Sequence, residues 1–156
     1  MTDANLTKIV IEQGYSDSDT VDVETPWAED LGDGLYKLKN CPFYAYGVSY
    51  DDVLKCASKY QDDGRPFFER VVEKSGHRTL RIVFDESVKE SDRSMAILDN
   101  LSSMECGYEG FGGEKVFVIN VQPQCDFEAV CEYLIDQEVR WEHADPTYEE
   151  IHHTDN

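Results

Sequence analysis

The apolar rhythm of this chain changes once, near Ser75-Gly76-His77, and that change limits what the chain can fold into. Before it, apolar residues recur at every second position in short runs broken by turn residues, which is strand spacing. Beyond it, strand-spaced runs alternate with runs at helical spacing. Neither an all-helix nor an all-strand fold accommodates both halves, so the pattern predicts an α+β protein.

In the first half, Lys8-Ile9-Val10-Ile11-Glu12 suits a strand, an acidic loop follows from Ser16 to Thr20, and Val21 to Ala28 suits the next strand. Leu31-Gly32-Asp33-Gly34 is a turn signal. Leu35 to Leu38 alternates beyond it, so Trp27 and its neighbours are expected to pair back in a hairpin. Asn40 to Tyr50 is dense in rings and punctuated by Pro42 and Gly47, the pattern of a packed loop. Asp52 to Ala57 and Phe67 to Lys74 read as two further strands, with Asp62-Asp63-Gly64 turning between them. Short antiparallel strands with little helix predict a small curved sheet or partial barrel over residues 6–78.

In the second half, Leu80, Ile82 and Phe84 share one face of a strand. Ser91-Asp92 offers an N-cap to a helix whose Ile97, Leu98, Leu101 and Met104 form one stripe. Tyr108 to Phe111 turns through Gly112-Gly113 into Val116 to Val121. Asp126 caps a second helix carrying Phe127, Val130, Cys131 and Leu134, and Val139 to His143 returns as a strand. The order β-α-β-β-α-β predicts a ferredoxin-like subdomain over residues 79–147, with both helices on one face of an antiparallel sheet and the other face free to bind something. A polar, acidic tail over residues 148–156 is expected to fray.

Charge bounds the partners. The chain has 33 acidic and 14 basic residues, a net charge of −19. Such a field repels phosphate backbones and anionic lipid, so nucleic acid and membrane surfaces are not expected as direct partners, whereas a basic protein is. The excess is uneven: residues 1–80 hold 15 acids and 9 bases (−6), and residues 81–156 hold 18 acids and 5 bases (−13). Solubility alone explains acidity equally well. No apolar run approaches the roughly 20 residues of a membrane helix, and Met1-Thr2-Asp3-Ala4-Asn5 lacks a signal-peptide pattern, so a cytoplasmic location is expected. Oligomeric state is left open.

Few residues suggest chemistry. Cys41, Cys56, Cys106, Cys125 and Cys131 include no C-x-x-C pair and are odd in number, so they read as reduced, buried small apolar side chains, with no metal and no cofactor expected. His77 lies where the halves join and is the one candidate general base, but no nucleophile motif accompanies it and a structural histidine is the plainer reading. His143 reads as a strand residue, and His152-His153 as a tail too poorly arranged to hold a metal. Gly107, Gly110, Gly112 and Gly113 lack the G-K-[ST] of a phosphate loop and read as a hairpin. Asp51-Asp52 and Asp62-Asp63-Gly64 lack calcium-loop spacing and read as solvated turns. Trp27, Tyr44, Tyr46 and Tyr50 suit an aromatic recognition surface, with core packing as the plainer expectation.

Four stretches carry a resemblance: Glu24-Thr25-Pro26-Trp27-Ala28-Glu29, Leu31 to Tyr36, Asn40 to Val53, and Ser75-Gly76-His77. Together they resemble a family of small bacterial proteins catalogued as a domain of unknown function, with Pro26 and Cys41 standing where an aliphatic residue is more usual. The resemblance covers Val21 to Trp141. It implies a bacterial source and a stand-alone unit, carries no activity, and marks Trp27, Asn40, Gly47, Asp52, Gly76 and His77 as positions to watch.

Three functions follow as expectations. The leading one is a non-enzymatic protein-binding module, such as an immunity or inhibitor protein that neutralises a basic toxin, with Trp27, Tyr44, Tyr46, Tyr50, Asp52 and His77 as binding residues. The second is a small-molecule-sensing regulatory protein using the ferredoxin-like sheet. The third is an enzyme in which His77 meets Asp52, Cys41 or another titratable group.

Overall fold

The computed structural model describes residues 5–14, 21–58, 64–111 and 113–152, in two units, Met1–Gly76 and His77–Asn156. The acidic loop 16–20 and the turn residues 62 and 63 lie outside the described residues.

The first unit is built from strands β1 (Leu6–Lys8), β2 (Ile11–Gly14), β3 (Val21–Glu24), β4 (Trp27–Gly32), β5 (Leu35–Leu38), β6 (Val53–Ser58) and β7 (Pro66–Glu73). Five of them form a sheet in the order β1-β4-β5-β6-β7, and β2 pairs with β3 as a separate ribbon. Two expected strands are therefore each cut in two. Lys8 pairs with Trp27 and Ile11 with Glu24, so one register runs through both pieces and breaks only where Ile9-Val10 faces Thr25-Pro26. Pro26 has no N–H to give, and its carbonyl takes the Ile9 N–H at 3.1 Å.

Val10 uses this break. Its N–H donates to the Pro66 carbonyl at 2.9 Å, and its carbonyl accepts from Phe68 N–H at 2.8 Å, a parallel bridge to β7. The segment between β1 and β2 is thereby pinned to the start of β7, so the two ends of the expected partial barrel meet at this one bridge. Ile9, Ile11, Ala28, Leu38, Leu54 and Cys56 fill it, together with Ala45 and Val48 from the loop after β5.

The second unit contains β8 (Arg78–Val83), α1 (Asp92–Ser103), β9 (Cys106–Phe111), β10 (Val116–Val121), α2 (Phe127–Asp136), β11 (Arg140–Asp145) and α3 (Tyr148–His152). Its sheet runs β11-β8-β10-β9 with every neighbouring pair antiparallel. The element order is the β-α-β-β-α-β of the sequence reading. Ser91 caps α1 by accepting from Ser94 N–H at 3.1 Å, and Asp126 caps α2 through Ala129 N–H at 3.1 Å. Both helices pack on one face: Ile97, Leu98, Leu101, Val130 and Leu134 share a core with Leu80, Ile82, Phe117, Ile119 and Val121. Met104, placed on the helix stripe by spacing, packs against this core and is also the C-cap of α1. On the face away from the helices Thr79, Arg81 and Val118 are buried, while Val83, Val116 and Asn120 are half-buried.

The expected fraying tail begins with a helix. Thr147 N–H donates to Glu150 Oε1 at 2.9 Å and Glu150 N–H to Thr147 Oγ1 at 3.2 Å, a reciprocal cap that starts α3. Residues 153–156 lie outside the described residues.

Glycine matters at one place in this sheet. Gly110 stands opposite Phe117, and a Cβ there would sit 2.4 Å from the ring. The ring cannot easily yield, because Phe84 and Tyr108 each hold it edge-on with centroids 5.8 Å away. Gly110→Ala is expected to destabilise the protein by about 1–3 kcal/mol through this overpacking. Chemical denaturation reads the effect, and a change below about 0.5 kcal/mol would show that the strand gives way.

Candidate functional site

The loop from Lys39 to Asp52 gathers most of the residues singled out by sequence. It plugs the barrel with Ala45 and Val48, both 1% exposed, and the residues on either side of Ala45 face outward. Tyr44 and Tyr46 are 40% and 37% exposed, and Trp27 at the start of β4 is 43% exposed. Core packing, the plainer expectation, therefore does not describe these three rings. Tyr50 is half-buried, with Lys39 Nζ 5.0 Å from its ring centroid. Lys8 Nζ lies over the Trp27 ring at 4.9 Å, so this ring already meets a cation within its own unit.

Carboxylates hold the loop in place. Glu24 accepts from three successive N–H groups, Phe43 at 2.8 Å through Oε1 and Tyr44 and Ala45 at 3.0 and 2.9 Å through Oε2. Such a row of amides is an anion-binding concavity, here filled by the chain itself. Asn40 Oδ1 accepts from Trp27 N–H at 2.7 Å, which fixes the base of the ring. Asp52, fully buried, accepts from Ser49 N–H at 2.8 Å and Lys74 Nζ at 2.7 Å through Oδ2, and from Ser75 N–H at 2.8 Å through Oδ1. Ser75 Oγ donates to the Tyr50 carbonyl at 2.6 Å and Lys74 Nζ to the Gly47 carbonyl at 3.1 Å. Lys39 Nζ binds Asp51 Oδ1 at 2.6 Å. Burial works to lower the Lys39 pKa, but the Asp51 hydrogen bond and charge outweigh it and raise it above the usual lysine value. Asp52 thus spends its oxygens on architecture, tying the loop to the end of β7.

In the second unit, His77 Nδ1 meets Asn120 Oδ1 at 2.9 Å. This partner is a neutral amide, which holds the ring in one orientation without adding charge. Arg78 lies over the Phe127 ring at 4.6 Å, and Arg81 Nε binds Glu142 Oε2 at 2.9 Å. His143 sits edge-on to Trp141 at 4.8 Å, on the helix-covered face. Among the described residues, no three His, Cys, Asp or Glu side chains gather to hold a metal.

The helices present a different surface. Arg93 at the start of α1 donates to the Gln137 carbonyl at the end of α2, and Asn100 Nδ2 donates to Tyr133 Oη at 2.8 Å, so the helices run side by side in opposite directions. Asp92 and Asp99 on α1 and Glu128, Glu132 and Asp136 on α2 are exposed, as are the apolar Met95 and Ile135. Arg93 is the basic residue within these two helices.

Residues 24–144 match the domain of unknown function DUF4265. The chain belongs to the DUF4265 family. The match crosses from the first unit into the second, so both are parts of what defines DUF4265. The fold of this DUF4265 chain is similar to that of a hypothetical protein from Neisseria gonorrhoeae seen in a crystal structure, with a TM-score of 0.73 and 17% identity over 88% of this chain and 93% of that one. At such identity the likeness speaks for fold alone. No curated protein matches the sequence.

Of the residues expected to bind, the DUF4265 chain exposes Trp27, Tyr44 and Tyr46, half-buries Tyr50 and His77, and buries Asp52. Glu24 and Lys74 were not singled out by sequence. Their roles depend on partners 19 to 27 residues away, and no local spacing signals those. No described helix is long and apolar enough to cross a membrane.

Proposed function

We propose that this DUF4265 protein is a non-enzymatic binding module that docks a basic protein, in the manner of an inhibitor or immunity protein. The observation that carries the reading is the helical layer of the second unit. Five exposed carboxylates, Asp92, Asp99, Glu128, Glu132 and Asp136, lie on two adjacent helices that also expose Met95 and Ile135. Exposed carboxylates with exposed apolar side chains on the same helices suit a partner with a cationic face: the charges steer encounter and the apolar contacts supply affinity. Steered association reaches about 10⁸–10⁹ M⁻¹s⁻¹ at low salt and falls as salt screens the field.

A second reading places docking on the first unit, where Trp27, Tyr44 and Tyr46 stand out from a loop tied down by Glu24, Asn40 and Asp52. Rigid rings of this kind are low-entropy anchors.

Capture of basic proteins from the native host by the immobilised chain, followed by association kinetics against salt, tests both. Asp99→Lys with Glu128→Lys and Glu132→Lys is expected to slow association at least tenfold at low salt, and Trp27→Ala to leave it unchanged. The opposite pattern transfers docking to the aromatic loop, and recovery of no basic partner overturns the reading. A toxin gene next to this one would favour the inhibitor form, and a metabolic operon would count against it.

A further inference from the structure

We infer that Cys106 and Cys125 form an oxidation site, at which a hydroperoxide converts two neighbouring thiols into an intramolecular disulfide linking the start of β9 to the segment entering α2. The inference is independent of any docking surface.

Geometry carries it. Cys106 opens β9 opposite Val121, the last residue of β10. The chain then turns, with Cys125 N–H donating to the Gln122 carbonyl at 3.0 Å, and brings Cys125 back beside Cys106. Both thiols converge on one oxygen: Cys125 Sγ reaches the Met104 carbonyl at 2.9 Å and Cys106 Sγ at 3.9 Å. Both are free and buried within one core cluster, at 8% and 5% exposure. The Cys106 thiol is pushed up to about 12, by burial first and then by the charge and hydrogen bond of Cys125.

The chemistry divides between them. Cys125, the less buried, attacks one oxygen of the hydroperoxide: an S–O bond forms, the O–O bond breaks, and the departing oxygen leaves with the Cys125 proton, as water from hydrogen peroxide or as an alcohol from an organic hydroperoxide. Cys106 then attacks the Cys125 sulfur. The S–S bond forms, the S–O bond breaks, and the hydroxyl leaves as water with the Cys106 proton. Two electrons pass from the sulfurs to the hydroperoxide. A thiol held near 12 is a poor first nucleophile, because only about one in 10⁵ is ionised at pH 7. It is suited to the second step, where contact with the acceptor sulfur supplies a high effective concentration.

The test uses the full chain. After hydrogen peroxide treatment, denaturation and alkylation, trypsin cuts after Arg93, Lys115 and Arg140, which puts Cys106 in peptide 94–115 and Cys125 with Cys131 in peptide 116–140. The expected product is these two peptides joined, reversed by dithiothreitol, with Cys41 and Cys56 still alkylated. The link persists in Cys131→Ser and disappears in Cys125→Ser. Five alkylated thiols after excess peroxide, a link that survives Cys125→Ser, or sulfinic and sulfonic acids in place of a disulfide would each overturn the inference. The wild-type digest alone gives the first and third of these results, so a variant that fails to fold does not rescue the idea.

Discussion

Asp52→Ala is expected to cost the first unit about 3 kcal/mol of stability, a large share of the roughly 5–15 kcal/mol that holds an ordinary domain together. The magnitude comes from what is left behind. Asp52 is fully buried and accepts from two backbone amides, Ser49 and Ser75, as well as from Lys74 Nζ. A buried N–H left without an acceptor costs about 1–3 kcal/mol, so the two amides account for most of the loss. The ammonium matters less, because the Lys74 side chain is 46% exposed and recovers water when its partner goes. Lys74→Met, which leaves the buried carboxylate its two amides but no counter-charge, is expected to cost about 1–2 kcal/mol, less than Asp52→Ala. Urea unfolding of the two variants checks the order. Equal losses for Asp52→Ala and Lys74→Met would show that the ion pair, and not the amides, is what the loop depends on.

The second large effect is alkaline. Burial, reinforced by the charge of Glu69, pushes the Cys56 thiol up to about 12, and burial pushes Cys106 up to about 12 in the other unit. A thiol normally loses its proton near 9, so above that pH the unfolded chain ionises while the folded chain still holds its protons. Each raised group therefore contributes its full stability below pH 9 and loses it as pH rises toward 12. At 1.36 kcal/mol per pH unit, each thiol costs about 2 kcal/mol by pH 10.5. Tyr36, raised by burial and then by Asp30, and Lys39, raised by Asp51 against its burial, act with the same sign above their ordinary values. Urea midpoints between pH 7 and pH 11 are expected to hold steady to about 9 and then fall, with Cys56→Ser flattening the fall for the first unit. A midpoint that stays level to pH 10.5 would contradict the burial argument.

Helix stripes, caps and the β-α-β-β-α-β order were legible because they are written at spacings of two to four residues. Ser91 and Asp126 cap where their positions before apolar runs said they would. The same grammar was available in Thr147-Tyr148-Glu149-Glu150, whose T-x-x-E spacing marks the cap that starts α3. What local spacing does not contain is pairing over distance. The break at Pro26 is visible as a proline, but the consequence, Val10 crossing to Pro66 and Phe68, depends on a partner nearly sixty residues on. The aromatic loop shows both limits. Its density of rings was plain, yet which of them face water depends on Ala45 and Val48 occupying the barrel and on Glu24 gathering three amides from across the fold.

The Val10 seam also sets an order of events during synthesis. A growing chain can pair β1 with β4 and continue to β6 as a simple meander, but it cannot close the circle until Pro66 to Phe68 have been made. Until then two strand edges remain open to pairing with other chains. A ribosome stalled shortly before residue 66 would hold an adhesive half-barrel, and deletion of the first ten residues would leave that condition permanent in the finished protein.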